Sequence, residues 1–483
     1  MKLIKITSLA LLAGYLFAGS GCSKKIDEFG TINQNPGIVA EPNTAALFTN
    51  ALSGVGGEAW SVTGGLYSQL YSETQYTEAS RYTRLQVDFG GYYSGVLEDL
   101  VNIIDYNSNS ETAGKALGNG SNANQIATAR ILKAWWYLRV TDAWGDIPYF
   151  QALKFNGEIP YDDQQAIYTD LFKELKEAVA QFDGGAPFKG DILMHGDIAK
   201  WKKFANSLRM IMAIRLSYVD AVKGKTEFLD AMGSSGGYLT SNADDVMLDY
   251  PGGNYSSVFY SYYNITLRSD YAISATVADH MNANGDMRIN AWGSSTKGFP
   301  YGYDRNDAIA WTNAGNADWA RIMNPTIRTE TQPMPILTSS QVTLARAEAA
   351  QRGWTAENVN NLYESGMQLN WNQWGVYNTT DFDAYKADPD IALSGGTELE
   401  KIIRQRWFAA FPDGQEAWNI WRSTGYPVLV VAPNNGGLQI PKRFAISQNH
   451  YDLNNVNTNA VAELYKVGGE KDSQYGRPWW VKP

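Results

Sequence analysis

Apolar residues recur on one helical face in several stretches of this chain, most cleanly at Ile167, Leu171, Leu175, Ala178 and Phe182, spaced four, four, three and four. That rhythm follows the helical turn and predicts an amphipathic helix. Asp162 or Asp163 can cap its start by accepting free N–H groups, and Gly184-Gly185 can end it through a left-handed turn. A second helix is predicted from about Asp197 to Val219, with Asp197 as cap and Trp201, Phe204, Leu208, Met212 and Leu216 as its buried stripe. A third, Gln125 to Val140, carries Ile126, Leu132, Trp136 and Val140. Ser340–Arg352 and Ala356–Leu369 form a further pair, broken at Gly353 and carrying Ala345, Ala349, Tyr363 and Gly366. Small residues where helices cross, with a large one four positions on, as Ala178 with Phe182, resemble degenerate tetratricopeptide hairpins. The expected fold class is mostly α: such hairpins, long irregular loops and minor β.

Three stretches refuse the helical pattern. Gly233–Gly253, Gly293–Asn316 and Val428–Asn459 are rich in Gly, Asn, Ser, Asp and Tyr and exceed ordinary connectors in length. Loops that long are functional or disordered, and their aromatics argue against disorder.

The N-terminus has a different logic. Lys2 and Lys5 precede an apolar run from Ile6 to Phe17 that is too short to cross a bilayer as a permanent helix, so it reads as an export signal. Gly19-Ser20-Gly21-Cys22 then offers small residues followed by the only cysteine, which resembles a bacterial lipoprotein signal with Cys22 as the lipidation site. Gly19 stands where such boxes usually carry Leu, and an ordinary signal cut nearby with Cys22 idle is the alternative. The organisation expected is signal 1–21, a polar, turn-rich tether 22–41, and one helical domain over 42–483.

With a single Cys, neither a disulfide framework nor a Cys-based zinc site is possible, so packing must hold this body together. Forty Lys+Arg against fifty Asp+Glu give a net charge of −10, the wrong sign for following a phosphate backbone, so no nucleic-acid partner is expected. No second stretch is apolar for long enough to span a bilayer, which leaves the N-terminal anchor as the membrane contact.

Several phrases then resemble one family together. Ala129–Leu153 (ARILKAWWYLRVTDAWGDIPYFQAL), Asp191–Ser217, Ala345–Gly353 (ARAEAAQRG) and Arg404–Pro427 (RQRWFAAFPDGQEAWNIWRSTGYP), followed by Ile440-Pro441-Lys442-Arg443, are similar in content and order to SusD/RagB-type outer-membrane lipoproteins. The resemblance implies a SusD-like fold with a loop face that holds ligand. It implies a surface lipoprotein, anchored in the outer membrane and facing outward, that captures oligosaccharides and delivers them to a SusC-like TonB-dependent transporter. Some members take oligopeptides instead. Lys25, Asp27 and Glu28 are similar to surface-export signals of such lipoproteins, although Ile26 interrupts the charge run.

Sugars present flat C–H faces edged by hydroxyls, so a site for them wants exposed rings beside planar polar side chains. There are 29 Tyr against 17 Phe, and many of those Tyr lie in the loop-like stretches. Candidate contacts fall in three clusters. The first holds Tyr76, Arg81, Tyr82, Phe89, Tyr92 and Tyr93; the second Tyr255, Phe259, Tyr260, Tyr262, Tyr263 and Arg268; the third Phe299, Tyr301, Tyr303, Trp311 and Trp319. The bland rival in each case is a half-buried strand or a loop packed on the body. Trp371, Trp374 and Tyr377 read better as core, as do Trp407, Trp418 and Trp421, and the W-G-D-I-P-Y run reads as a helix exit.

Catalysis finds little support. Gly233-Ser234-Ser235-Gly236-Gly237 formally matches a nucleophile elbow, but a helix-like segment precedes it where a strand is required. His195, His280 and His450 are the only histidines, none in metal-ligand spacing. Asp304, Asn306 and Asp307 offer oxygens at short spacing without a full calcium loop, so no cofactor is expected and a structural calcium ion is left open. A saccharide hydrolase with a spatial carboxylate pair is the lesser alternative to a binder.

Overall fold

The computed structural model describes residues 41–154 and 157–482. The export signal, Cys22 and nearly all of the tether lie outside the described residues.

Helices pair into hairpins along the chain: Asn122–Trp144 with Gln164–Gln181, Ile198–Arg215 with Ala221–Met232, Ser339–Gln351 with Val359–Gln373, and Glu398–Ala409 with Gly414–Thr424. Neighbouring pairs touch, Gln164–Gln181 against Ile198–Arg215, then Ile198–Arg215 against Ser339–Gln351, and Ser339–Gln351 against Glu398–Ala409. In front of the first pair, Glu98–Ser108 packs between Thr44–Ser53 and Asn122–Trp144. The helical, tetratricopeptide-like expectation holds, with β structure limited to short ladders.

Side-chain caps set the helix starts. Ser121, Asp163, Asp197, Asn358 and Asp413 each accept a backbone N–H from the first turn, and Thr338 forms a reciprocal capping box with Gln341. Asp163 is therefore the cap, while Asp162 takes the N–H groups of Tyr149 and Phe150, each at 2.8 Å. The same helix ends earlier than expected: it stops at Gln181, and Phe182 is extended (φ −59°, ψ 134°). Asn124 accepts the Asp183 N–H, and the Asp183 carboxylate takes the Gly185 N–H and the Ser121 hydroxyl. Side chains, and not a left-handed glycine, complete that exit. The central helix does end on one: Gly145 has φ 89°, and a Cβ there would lie 2.1 Å from the Tyr465 hydroxyl oxygen. That hydroxyl accepts the Asp146 N–H at 2.9 Å and donates to the Asp146 carboxylate at 3.0 Å, so the W-G-D-I-P-Y run is a structural exit.

Three two-stranded ladders draw distant loops together. Tyr71–Glu73 runs antiparallel to Tyr271–Ile273, Gln86–Val87 parallel to Ala445–Ile446, and Val246–Leu248 antiparallel to Met334–Leu337. The stretches read as irregular thus contain elements, including helices Arg305–Trp311, Gln448–Leu453 and Asn455–Leu464. In the last of these, Thr458, Val461 and Ala462 are buried, a three-and-one spacing hidden among asparagines. The Ser234 motif follows helix Ala221–Met232 and makes no elbow. Trp371, Trp374, Trp407 and Trp418 are core residues, whereas Trp421 is half-buried.

Charge is buried between the helices as well as apolar surface. Arg215 is bonded to Asp142, to the Tyr168 hydroxyl at 2.9 Å and to Glu416 at 2.5 Å, while Asn419 donates to Asp142 at 3.0 Å. These groups come from Asn122–Trp144, Gln164–Gln181, Ile198–Arg215 and Gly414–Thr424, and Asp142 and Arg215 are 1% and 3% exposed. Next to them Arg139 binds Asp413 at 2.6 Å and Glu58 at 3.2 Å. Truncating one partner of such a cluster strands the rest without compensation, at roughly 3–5 kcal/mol. Arg215→Ala is expected to lower unfolding stability by about that amount in urea titration, and an unchanged midpoint would show that solvent already reaches Asp142.

Candidate functional site

The antiparallel ladder Tyr71–Glu73 with Tyr271–Ile273 delivers two chain ends to one spot. Its register pairs Glu73 with Tyr271, and Thr74 continues it by donating its N–H to the Asp270 carbonyl at 2.9 Å. Gln75 and Tyr76 therefore emerge beside Arg268 and Ser269. Opposite them stands Arg305–Trp311, capped by Asp304, whose carboxylate accepts the N–H groups of Asn306 and Asp307. The helix continues into a wider turn over Thr312–Asn316 that breaks at Gly315, with φ 97°. Wider turns of this type are frequent at functional sites.

Between these walls lies a groove of about 350 Å³. The ladder contributes Thr74, Gln75 and Ser269; the helix contributes Arg305, Ile309, Thr312 and Asn313. Trp319 and Arg321 close it, the guanidinium lying 4.1 Å from the indole centroid. A small apolar cluster of Ala272, Phe299, Ala308 and Trp319 forms the base, with Trp311 edge-on to Phe299 at 4.9 Å. Gln75, Ser269, Arg305 and Asn313 make no side-chain hydrogen bond among the described residues, so their donors and acceptors remain available. Tyr76 is half-exposed at the rim, its ring 5.7 Å from Arg268, which is itself held by Asp270 at 2.5 Å.

Each candidate cluster thus supplies one part: Tyr76 from the first, Arg268 from the second and Trp319 from the third. Trp311 and Tyr303 pack half-buried against the base. Most of the other candidates are engaged elsewhere in the body. Tyr82 is fully buried at φ 67° and accepts the Ala432 N–H, because its ring fills the space between Tyr67 and Tyr301. The Tyr301 hydroxyl donates to the Leu66 carbonyl at 2.7 Å. Arg81 donates to the carbonyls of Gly302, Pro433 and Asn434 and so clips a loop in place. Tyr263 accepts the Ile322 N–H, donates to Tyr271 and carries Arg328 at 3.7 Å on its ring face. Tyr260 is half-buried. Tyr92 donates to Glu58 and Tyr93 to the Pro148 carbonyl.

Tyr93 also lines a second cavity of about 370 Å³ with Phe89, Leu153, His450 and Leu453. Its walls are predominantly apolar, and His450 is engaged by Asp88 at 2.9 Å and stacked on Phe89 at 3.8 Å. It offers few partners for hydroxyl groups, and the smaller groove suits a polar ligand better. Gln75, Ser269, Arg305, Ile309, Asn313 and Arg321 were not singled out from sequence. The readable signal was Asp304 as a helix cap ahead of Ala308 and Trp311; the pairing of Thr74 with Asp270 had none.

One carboxyl beneath the groove titrates unusually. Glu73 is 6% exposed, and its pKa is pushed up from 4.5 to about 7 by burial, partly offset by the Ser80 N–H and hydroxyl that donate to it.

A family model described as starch-binding and associating with the outer membrane, SusD-like, matches residues 36–446. Among solved structures, a chitin-binding protein is similar at 28% identity, TM-score 0.76, over 91% of this chain and 100% of its own. A chitin-binding SusD homolog from Flavobacterium johnsoniae is similar at 24% identity, TM-score 0.74, over 91% and 98%. A SusD homolog from Bacteroides uniformis is similar at 23% identity, TM-score 0.77, over 92% and 100%. The comparison with curated proteins gives no match.

Because Glu73 holds its proton more tightly folded than unfolded, the folded state binds more protons between pH 4.5 and about 7. Stability is therefore expected to fall as pH rises through that window, and Glu73→Gln should flatten the fall in thermal melts taken across it. An identical pH profile for both proteins would mean that the carboxylate is solvated.

Proposed function

The chain belongs to the SusD-like family, and from that premise we propose that it binds oligosaccharides in the groove between Gln75 and Asn313 without cleaving them. The observation that carries this reading is the groove itself, where uncommitted amide, hydroxyl and guanidinium groups line the walls over an apolar base, with a half-exposed tyrosine at the rim. Hydroxyl-edged rings need that combination of donors, acceptors and flat apolar surface. The lining residues carry no carboxylate, and glycoside hydrolysis needs two flanking the bond. This favours capture over cleavage.

The similar proteins described as chitin-binding make oligomers of N-acetylglucosamine the first ligands to test, beside the starch fragments suggested by the family description. In this reading Cys22 carries lipid, the chain faces outward from the outer membrane, and a SusC-like TonB-dependent transporter receives the bound oligomer. The signal-like N-terminus and the family's association with the outer membrane support that placement.

Calorimetry with chitohexaose and maltohexaose tests the groove. Tyr76→Ala combined with Arg305→Ala removes one ring and one charged donor, neither used in packing the base. Together they are expected to weaken the groove's affinity at least tenfold, about 1.4 kcal/mol, with an unchanged melting temperature. Release of shorter sugars from either hexamer would replace the binder by a hydrolase.

A further inference from the structure

A second polar cleft, of about 300 Å³, shares no residue with the groove and is built on the helical hairpins themselves. Three helices each turn an i, i+4 pair into it: Val101 and Asp105 from Glu98–Ser108, Lys133 and Tyr137 from Asn122–Trp144, Asp170 and Glu174 from Gln164–Gln181. Residues four apart share a face, so the cleft follows from how these helices pack rather than from a loop. The turn Tyr149–Lys154 forms its rim. There Tyr149 is edge-on to Tyr137 at 4.6 Å and to Phe150 at 4.9 Å, and Phe150 keeps 43% of its surface exposed.

The charges in the cleft are unevenly used. Glu174 is gripped by the Arg130 fork at 2.7 and 3.1 Å, and Asp170 accepts the Tyr149 hydroxyl at 2.9 Å. Lys154 is turned to the Phe150 carbonyl at 2.7 Å. The Lys133 ammonium makes no side-chain hydrogen bond among the described residues; its ion partner is Glu174 at 3.9 Å, and burial lowers its hold on the proton. Asp105 likewise has no side-chain hydrogen bond among the described residues. An ammonium and a carboxylate are thus left with unused hydrogen-bonding capacity in one cleft, below a solvent-facing ring.

That arrangement selects a ligand class. An anion would meet Asp105, Asp170 and Glu174, and a cation would meet Lys133 and Lys154. An apolar molecule would cover the Lys133 ammonium and the Asp105 carboxylate without offering either a hydrogen bond, which costs their desolvation. A neutral ring bearing several hydroxyls meets neither repulsion: it can accept from Lys133, donate to Asp105 and lay a C–H face on Phe150. We propose that this cleft is a second saccharide-binding subsite for neutral sugars, independent of the groove. The assignment rests on the reading of the protein as a sugar binder for its ligand, but not for its residues.

The full chain and two double variants, Tyr76→Ala/Arg305→Ala in the groove and Phe150→Ala/Lys133→Gln in the cleft, are titrated calorimetrically with chitohexaose and maltohexaose, with hydrogen exchange followed over 98–108, 130–138 and 164–175. The proposal expects the groove variant to retain one binding event, with slowed exchange in those three helices, and the cleft variant to weaken that event at least tenfold. Loss of all binding in the groove variant, or unchanged sugar affinity at the cleft in the cleft variant, would overturn the second subsite while leaving the groove standing. Binding untouched in the groove variant and abolished in the cleft variant would overturn the groove and uphold the cleft. No binding of either hexamer by the full chain, or tighter binding of oligogalacturonate than of neutral hexamers at the cleft, would overturn the neutral-sugar assignment.

Discussion

The buried ion cluster around Arg215 constrains everything built above it. Asp142, Tyr168, Arg215, Glu416 and Asn419 come from four helices that belong to three different hairpins, and they meet where water is excluded. Desolvating those charges is costly, and the cost is offset only if every partner arrives in position. A sliding or rotation of one helix by a single residue would leave a carboxylate or guanidinium unpaired, so the cluster fixes the relative register of the hairpins. Burial opposes ionisation of Arg215, but its acidic neighbours outweigh that and hold its proton more tightly than usual.

Two other clusters repeat the device farther along. Glu348 is fully buried and takes Arg352 and Arg406 from successive hairpins. Arg288, also fully buried, reaches Asp286, Asn370, Tyr385 and Gln405. A chain with one cysteine in its N-terminal segment has no disulfides with which to pin such a body. Geometric discrimination by buried, paired charge takes over that role here, while the apolar core supplies most of the stabilisation.

This rigidity matters for recognition. The groove hangs on a three-residue ladder and a short capped helix, both seated on Phe299 and Trp319. The cleft at Lys133 is part of the helical frame. Sugars bind weakly per contact, and side chains already held in place lose little entropy on binding, so a stiff frame spends less of the interaction energy on ordering. Two sites on one frame would also hold a long polymer more firmly than either alone when the chain can reach both.

From the residues alone, several hairpin helices were legible, because a 3.6-residue apolar rhythm with a capping Asp at the start is a local property: Asp197 and the Trp201–Leu216 stripe needed no partner to be read. The core role of Trp407 and Trp418 and the exit at Gly145 were legible for the same reason, and the ordered blocks carried the family. Which tyrosines face solvent was not. Tyr82 and Tyr301 look the same in sequence as Tyr76, yet the hydroxyls of the first two are engaged by Ala432 and Leu66, 350 and 235 residues away in the chain, while Tyr76 is left at an open rim. Exposure, the pairing of Thr74 with Asp270, and the meeting of Asp105, Lys133 and Glu174 depend on contacts between distant segments. Only the tertiary structure decides those, since burial is set by what packs on top of a residue and not by the residue itself.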